Sequence, residues 1–190
     1  MTDVETGLRD RLVDVGVDLV AREGAQALTL REIARRAGVS HGAPRRHFPT
    51  HLELLSAIAR RGFGELAAQT AARGGQGPAR ARLTELALAY LEFARDNRGM
   101  YELMFRHDVL ESGHLRLRDT SLPLFERLVE LTGAARPGAD ARTVAGALWA
   151  NLHGIAQLWS WGSLQLATGA ADFTPLVRAA LDAHLGPEDA

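Results

Sequence analysis

Apolar residues recur along this chain at helical spacing. Leu8, Leu12, Val15 and Leu19 fall at i, i+4, i+7 and i+11, one face of a helix that ends at "REGAQA", where Gly24 is placed to take a left-handed cap. "TLREIARRAG" reads as a short second helix over 30–37. Thr29 is its N-cap, Glu32 completes a capping box, and Gly38 ends it. Ser40 is placed to cap a third helix over 41–48. Thr50 is placed to cap a fourth that carries Leu54, Leu55, Ile58, Phe63, Leu66 and Ala67. "AARGGQGPAR" holds three glycines and a proline in ten residues and is the clearest break.

Helical spacing resumes after that break. Leu83, Leu86, Tyr90 and Ala94 mark one helix, Tyr101, Met104 and Phe105 another, and Leu122, Phe125, Leu128 and Val129 a third. "RPGAD" is a turn, and Asp140 can cap a long helix with Val144, Leu148, Leu152, Ile155 and Trp159, broken by "GAADFTP". Asp172 can cap a last helix with Val177, Leu181 and His184. No run alternates apolar and polar residues, so the expected class is all-α with about nine helices. A three-helix N-terminal domain over 1–50, a linking helix over about 51–72 and a larger helical bundle over 73–190 are predicted.

Composition adds limits. Apolar residues make up 46% of 190, enough for a sizeable core. There is no cysteine, hence no disulfide and no thiolate chemistry. The opening "MTDVETGLRD" has no apolar signal core, so a cytoplasmic protein is expected. Residues 143–171 carry no Asp, Glu, Lys or Arg, but Asn151, His153, Gln157, Gln165 and the glycines among them argue for burial against protein rather than in lipid.

Charge changes the picture more. The net formal charge is only −1, and all 22 basic residues are arginine, as GC-rich coding would give. Between residues 31 and 61, seven arginines face only Glu32 and Glu53, a local charge of 7 − 2 = +5. A basic N-terminal third on a weakly acidic remainder points to a module that meets a polyanion.

That module contains "AGVSHGAPRRHF". Two short helices joined by "AGVS" match a helix-turn-helix. Ala34 lets the helices cross closely, Gly38 permits a positive φ, Val39 fills the gap, and Ser40 can satisfy the next helix's first amides. The second helix presents His41, Ala43, Arg45, Arg46 and His47 with no acid to repel phosphate. Gly42 and Pro44 weaken it, so packing by Phe48 and Leu55 must hold it in place.

Over about Leu12 to Phe63, "ALTLREIARRAGVSHGAPRRHFPTHLELLSAI" resembles the tetracycline-repressor (TetR) family of transcriptional regulators. "LWANLHGIAQL" supplies Trp149, His153 and Gly154 in a W-x-x-x-HG pattern, which looks like the WHG-type C-terminal domain of part of that family. The resemblance implies a homodimer that docks its third helices in the major groove of a double-stranded operator. It also implies C-terminal helices that bind a small effector and dimerise. It places Thr29, Arg31, Ser40, His41, Ala43, Arg45, Arg46, His47 and His51 at the DNA-contacting positions. Two positions depart from the family pattern: arginine stands at 45 where tyrosine is usual, and histidine at 51 where lysine is usual. Neutral histidine is the weaker phosphate partner, so affinity is expected to be lower, or to rise as pH falls toward about 6.5.

Other chemistry finds less support. His107 and His114, with Asp108 and Glu111 nearby, lack strict metal-ligand spacing. Ser112, Gly113 and His114 have no third member of a triad, and no phosphate loop follows a strand. No enzyme, no cofactor, no metal and no membrane partner is therefore expected. The implied effector pocket would draw on Tyr101, Met104, Phe105, Phe125, His153 and Trp159. That apolar, aromatic set fits a hydrophobic or aromatic effector, although His153, four residues before Gln157 on an apolar helix, reads first as a core histidine hydrogen-bonded to a neighbour. Trp149, Trp159 and Trp161 suit a core or a dimer interface. The alternative is a helical small-molecule or metal carrier whose basic domain no longer reads sequence.

Overall fold

A computed structural model describes residues 3–106, 108–109 and 117–188. Ten α-helices and one 3-10 turn occur among them, and no strand. The chain forms two compact units, Met1–Glu65 with Asn97–Ser121, and Leu66–Asp96 with Leu122–Ala190. A later segment, Asn97–Ser121, thus folds with the N-terminal helices, and the last turns of the linking helix fold with the second unit.

The first unit contains α1 (Asp3–Glu23), α2 (Leu30–Arg36), α3 (Ala43–His47), the first part of α4 (His51–Arg73) and α6 (Arg98–Met104). Its core holds Leu12, Leu19, Val20, Leu28, Ile33, Phe48, Leu54, Leu55 and Ile58, all buried. Met100, Tyr101, Leu103 and Met104 bury the inner face of α6. Glycine explains why α6 belongs here. A Cβ on Gly99 would meet the Val20 carbonyl oxygen at 2.4 Å and the Gly24 Cα at 3.0 Å, so the start of α6 lies directly on the end of α1. Glycines inside helical segments weaken a helix taken alone. Here the lost propensity is exchanged for backbone approach, which spacing along the chain does not reveal.

The second unit holds the last turns of α4, α5 (Ala79–Asp96), most of α7 (Arg118–Ala135), α8 (Ala141–Ser160), α9 (Ser163–Thr168) and α10 (Thr174–Leu185). α8 packs against α5, α9 and α10, and α5 packs against α10. Arg80 ties the start of α5 to the end of α10 through Asp182 and through a 2.7 Å bond to the Gly186 carbonyl. Asp140 caps α8 as expected, accepting from the Arg142 and Thr143 amides. The long helix does not run on to "GAADFTP". Gly162 takes φ +75° and stops α8, and α9 follows as a separate turn and a half. Asp172 sits one residue before the N-cap position of α10 and accepts from the Thr174 amide at 2.8 Å.

The uncharged segment is a two-sided helix rather than a wholly buried one. Ala145, Leu148, Leu152, Ile155 and Ala156 are buried. At 100° per residue, Ala147, Ala150, Leu158 and Trp161 lie on the opposite face, and all four are exposed, Trp161 by 64%. Among the described residues no helix is long and apolar enough to cross a membrane.

Candidate nucleic-acid interface

The sequence "TLREIARRAGVS" builds the first helix of the motif and its turn. Thr29 is the N-cap of α2, and its Oγ1 accepts from the Glu32 amide at 3.2 Å. The reciprocal half of the capping box does not form. The Glu32 carboxylate is held by arginine: Arg35 donates to it at 2.9 and 2.6 Å and Arg36 at 2.7 Å. Two guanidiniums outcompete one backbone amide for a carboxylate. Those bonds, first Arg35 and then Arg36, hold the Glu32 carboxyl down to about 2. Arg36 also donates to Glu23 at 2.5 Å.

At the other end of α2, the Val39 amide bonds to the Ala34 carbonyl and the Gly38 amide to the Arg35 carbonyl. This is a Schellman turn, and Gly38 takes the required positive φ of 67°. Ala34 is fully buried where α2 and α3 pack.

The next helix starts later than the sequence suggests. α3 covers Ala43–His47, its N-cap position is Gly42, and no side chain caps it. Ser40 therefore does not cap with its hydroxyl; its carbonyl accepts from the Ala43 amide in a turn. Proline is the physical reason. Starting the helix at Ala43 puts Pro44 in the first turn, where a missing N–H costs nothing. Pro44 is buried and Phe48, 1% exposed, closes the helix from below, with the Arg9 guanidinium 4.9 Å from its ring centre. Leu55 is buried with it, as expected of the second anchor.

With that floor fixed, His41, Arg45 and Arg46 are exposed, and Ala43 and His47 are half-buried. Thr29, Arg31 and Ser40 are exposed on α2 and the turn. Thr50 caps α4 through the Glu53 amide at 3.1 Å. His51 is more constrained than a free phosphate ligand. Its Nε2 lies 2.6 Å from the Leu28 carbonyl oxygen and donates to it, leaving Nδ1 for an outside partner. Of the seven arginines in the basic stretch, Arg35 and Arg36 are ion-paired, and Arg61 pairs with Asp14 at 3.1 Å.

The six expected pocket residues are divided between the two units. Tyr101, Met104 and Phe105 belong to the first unit, where Phe105 meets Phe63 edge-on at 5.7 Å and Tyr101 at 4.9 Å. Phe125 and His153 belong to the second unit and are bridged by Trp149, which lies 6.2 Å from Phe125 and 5.9 Å from His153. Trp159 packs edge-on against Phe173 at 5.4 Å. The partner of His153 is the Tyr90 hydroxyl, 2.9 Å from Nδ1, rather than Gln157. Burial holds the His153 ring below its ordinary value. Tyr90 and Trp149 were missed as members of this cluster, and a pairing across 63 residues leaves no periodic trace in the sequence. His107, Glu111, Ser112, Gly113 and His114 lie outside the described residues. Among the described residues no group of three His, Cys, Asp or Glu side chains is placed to hold a metal ion.

Residues 12–58 match the family model described as bacterial regulatory proteins, tetR family. Residues 83–184, just over half of the chain, match the tetracyclin repressor-like C-terminal domain. The helix-turn-helix-type transcriptional regulator SrpR of Pseudomonas putida is 40% identical over 50 residues, which are 26% of this chain and 24% of SrpR. A protein of unknown function from Rhodococcus sp. RHA1 superposes with a TM-score of 0.79 at 30% identity, covering 94% of this chain and 93% of that one. A tetR-family member from Streptomyces coelicolor A3 superposes with a TM-score of 0.65 at 26% identity, covering 94% of this chain and 98% of that one.

Proposed function

Since the chain belongs to the tetracycline-repressor (TetR) family of bacterial regulatory proteins, we propose that it is a homodimeric DNA-binding transcriptional repressor released by a small effector. The observation that carries the reading is α3. It buries Pro44 and Phe48 and exposes Arg45 and Arg46, with His41 exposed in the turn just before it and no acid in the helix. Arginine suits guanine edges in the major groove as well as phosphate. Thr29, Arg31, Ser40, His41, Ala43, Arg45, Arg46, His47 and His51 meet the operator; with Nε2–H committed to the Leu28 carbonyl, His51 donates to phosphate only as an imidazolium, through Nδ1–H. Two such helices in a dimer fall in successive major grooves, about 34 Å apart.

The apolar outer face of α8 supports dimerisation through the second unit. Ala147, Ala150, Leu158 and Trp161 are exposed there, and α10, which packs against α8, exposes Pro175, Ala179 and Ala183. The Phe125, Trp149, His153 and Tyr90 cluster supports an aromatic or hydrophobic effector held in that unit. A coupling of about 1–3 kcal/mol lowers operator affinity roughly 5- to 150-fold. The protein acts in the cytoplasm and catalyses no reaction.

The test is fluorescence anisotropy with DNA from upstream of the protein's own gene and with scrambled DNA, across a salt series. Selective binding whose log affinity falls linearly with log salt is the expected result. Equal, weak binding to both DNAs overturns the reading and favours a helical carrier.

A further inference from the structure

Arg31 and Arg35 are four residues apart, on one stripe of α2, and both are exposed. They differ in what holds them. No ion pair or hydrogen bond engages the Arg31 guanidinium among the described residues, whereas Arg35 is clamped by two bonds to Glu32. Glu32 holds Arg36 as well, and Glu23 takes the other side of that guanidinium. One carboxylate therefore occupies two of the seven cations that make this stretch basic.

We propose that Glu32 is a restraint on DNA affinity: it keeps Arg35 and Arg36 off phosphate, so that selectivity rests on α3. The inference builds on the DNA-binding reading above. A lone exposed ion pair is worth little, but a bidentate pair shared in a network is the recognised exception. The Arg35 side chain is 64% exposed, so releasing it presents a mobile cation beside Arg31. Phosphate contacts are indifferent to sequence, and each adds about 0.9 to the salt slope. Extra contacts on α2 would strengthen binding to any duplex and narrow the ratio between operator and bulk DNA. A carboxyl held down to about 2 stays charged at any pH of a living cell, so the restraint is permanent.

The experiment compares wild type, Glu32→Gln, Arg35→Gln and the double variant on operator and scrambled DNA across a salt series. Glutamine is a normal residue at this helix position, so the Thr29 cap is kept. Glu32→Gln should bind scrambled DNA roughly tenfold or more tighter near 0.1 M salt, with a slope steeper by about one to two units per protomer. Arg35→Gln alone should leave the slope of the wild type unchanged, and in the double variant it should reverse much of the gain. An unchanged slope in folded Glu32→Gln, or a shallower slope in Arg35→Gln alone, overturns the proposal. If Glu32→Gln does not fold, the Arg35→Gln slope decides by itself. Wild type that binds selectively with no gain in Glu32→Gln sinks this inference alone. Wild type that binds no DNA sinks the regulator reading and this inference with it.

Discussion

α3 and α8 solve opposite problems. α3 has five residues, weak propensity and no side-chain cap, yet it must hold cations out toward solvent. It does so by turning Pro44 and Phe48 inward as a floor. α8 has 20 residues, a strong Asp140 cap and one firmly buried face, yet leaves tryptophan and leucine exposed on the other. Exposed charge on the first unit needs no partner for stability. Exposed apolar surface on the second is costly in water and is where the proposed dimer would close. The helix that is poor on its own thus displays a finished site, while the helix that is good on its own displays an unfinished one.

Breaking the floor should have the largest effect. Phe48→Ala removes a buried aromatic ring, and such truncations cost about 3–5 kcal/mol. Urea denaturation followed by circular dichroism should show that loss, and selective DNA binding should vanish, while sedimentation still shows a dimer. A loss below about 1 kcal/mol would mean α3 is held by something other than its floor.

The second test acts on the apolar face. Leu158→Glu with Trp161→Glu should weaken self-association by about 2–4 kcal/mol, the range of strong interface residues. Sedimentation would then show monomers at concentrations where the wild type is dimeric. Arg45→Ala and Arg46→Ala should leave the dimer untouched. If the glutamate pair does not shift the dimer, the contrast between the two helices fails on the α8 side.

Smaller again is the cap. Thr29→Ala removes the acceptor of the Glu32 amide and should cost about 1 kcal/mol, read as a lower urea midpoint. Its counterpart in the second unit, Asp140→Ala, loses two backbone amides and the Thr143 hydroxyl and should cost somewhat more. Equal losses at both positions would show that the caps do not explain why α8 is the more robust helix.

The sequence made these elements legible unevenly. Repeating apolar positions and cap residues located the helices, because helical period and capping are local. Gly38, Thr29, Thr50 and Asp140 take the parts their neighbours predict, whereas Gly24 ends α1 at φ 80° and ψ 173°, a glycine conformation other than the left-handed helical cap expected there. The start of α3 was misplaced because Ser40 and Pro44 pull in different directions, and proline, being covalent, wins. The break at Gly162 was missed because a glycine in an apolar run also occurs inside buried helices. The membership of α6 in the first unit depends on Gly99 meeting the Val20 carbonyl, a contact across 79 residues with no local signature. For the candidate site, the exposed residues of α3 were legible, while the clamping of Arg35 and Arg36 was hidden in a net charge that counts each cation as free. The effector cluster was the least legible, since Tyr90 and His153 meet only in the folded unit.

The finest contrast between the units is their response to acid. In the second unit, burial holds His153 below its ordinary 6.5. The folded form therefore binds fewer protons than the unfolded one once pH drops below about 6.5, and stability is lost as pH falls through that window. In the first unit, the Glu32 carboxyl is held down to about 2, so its ion pairs contribute above about 4.5 and are lost only between there and 2. Between pH 7.5 and 5, then, the second unit should weaken while the Glu32 network does not change. Urea midpoints of wild type and His153→Gln over that range make the measurement. The wild-type midpoint should fall toward pH 5 and that of the variant should stay flatter, because glutamine takes up no proton. Parallel curves would mean that His153 does not carry the acid response, and that the Tyr90 hydroxyl turns to accept from the protonated ring without loss.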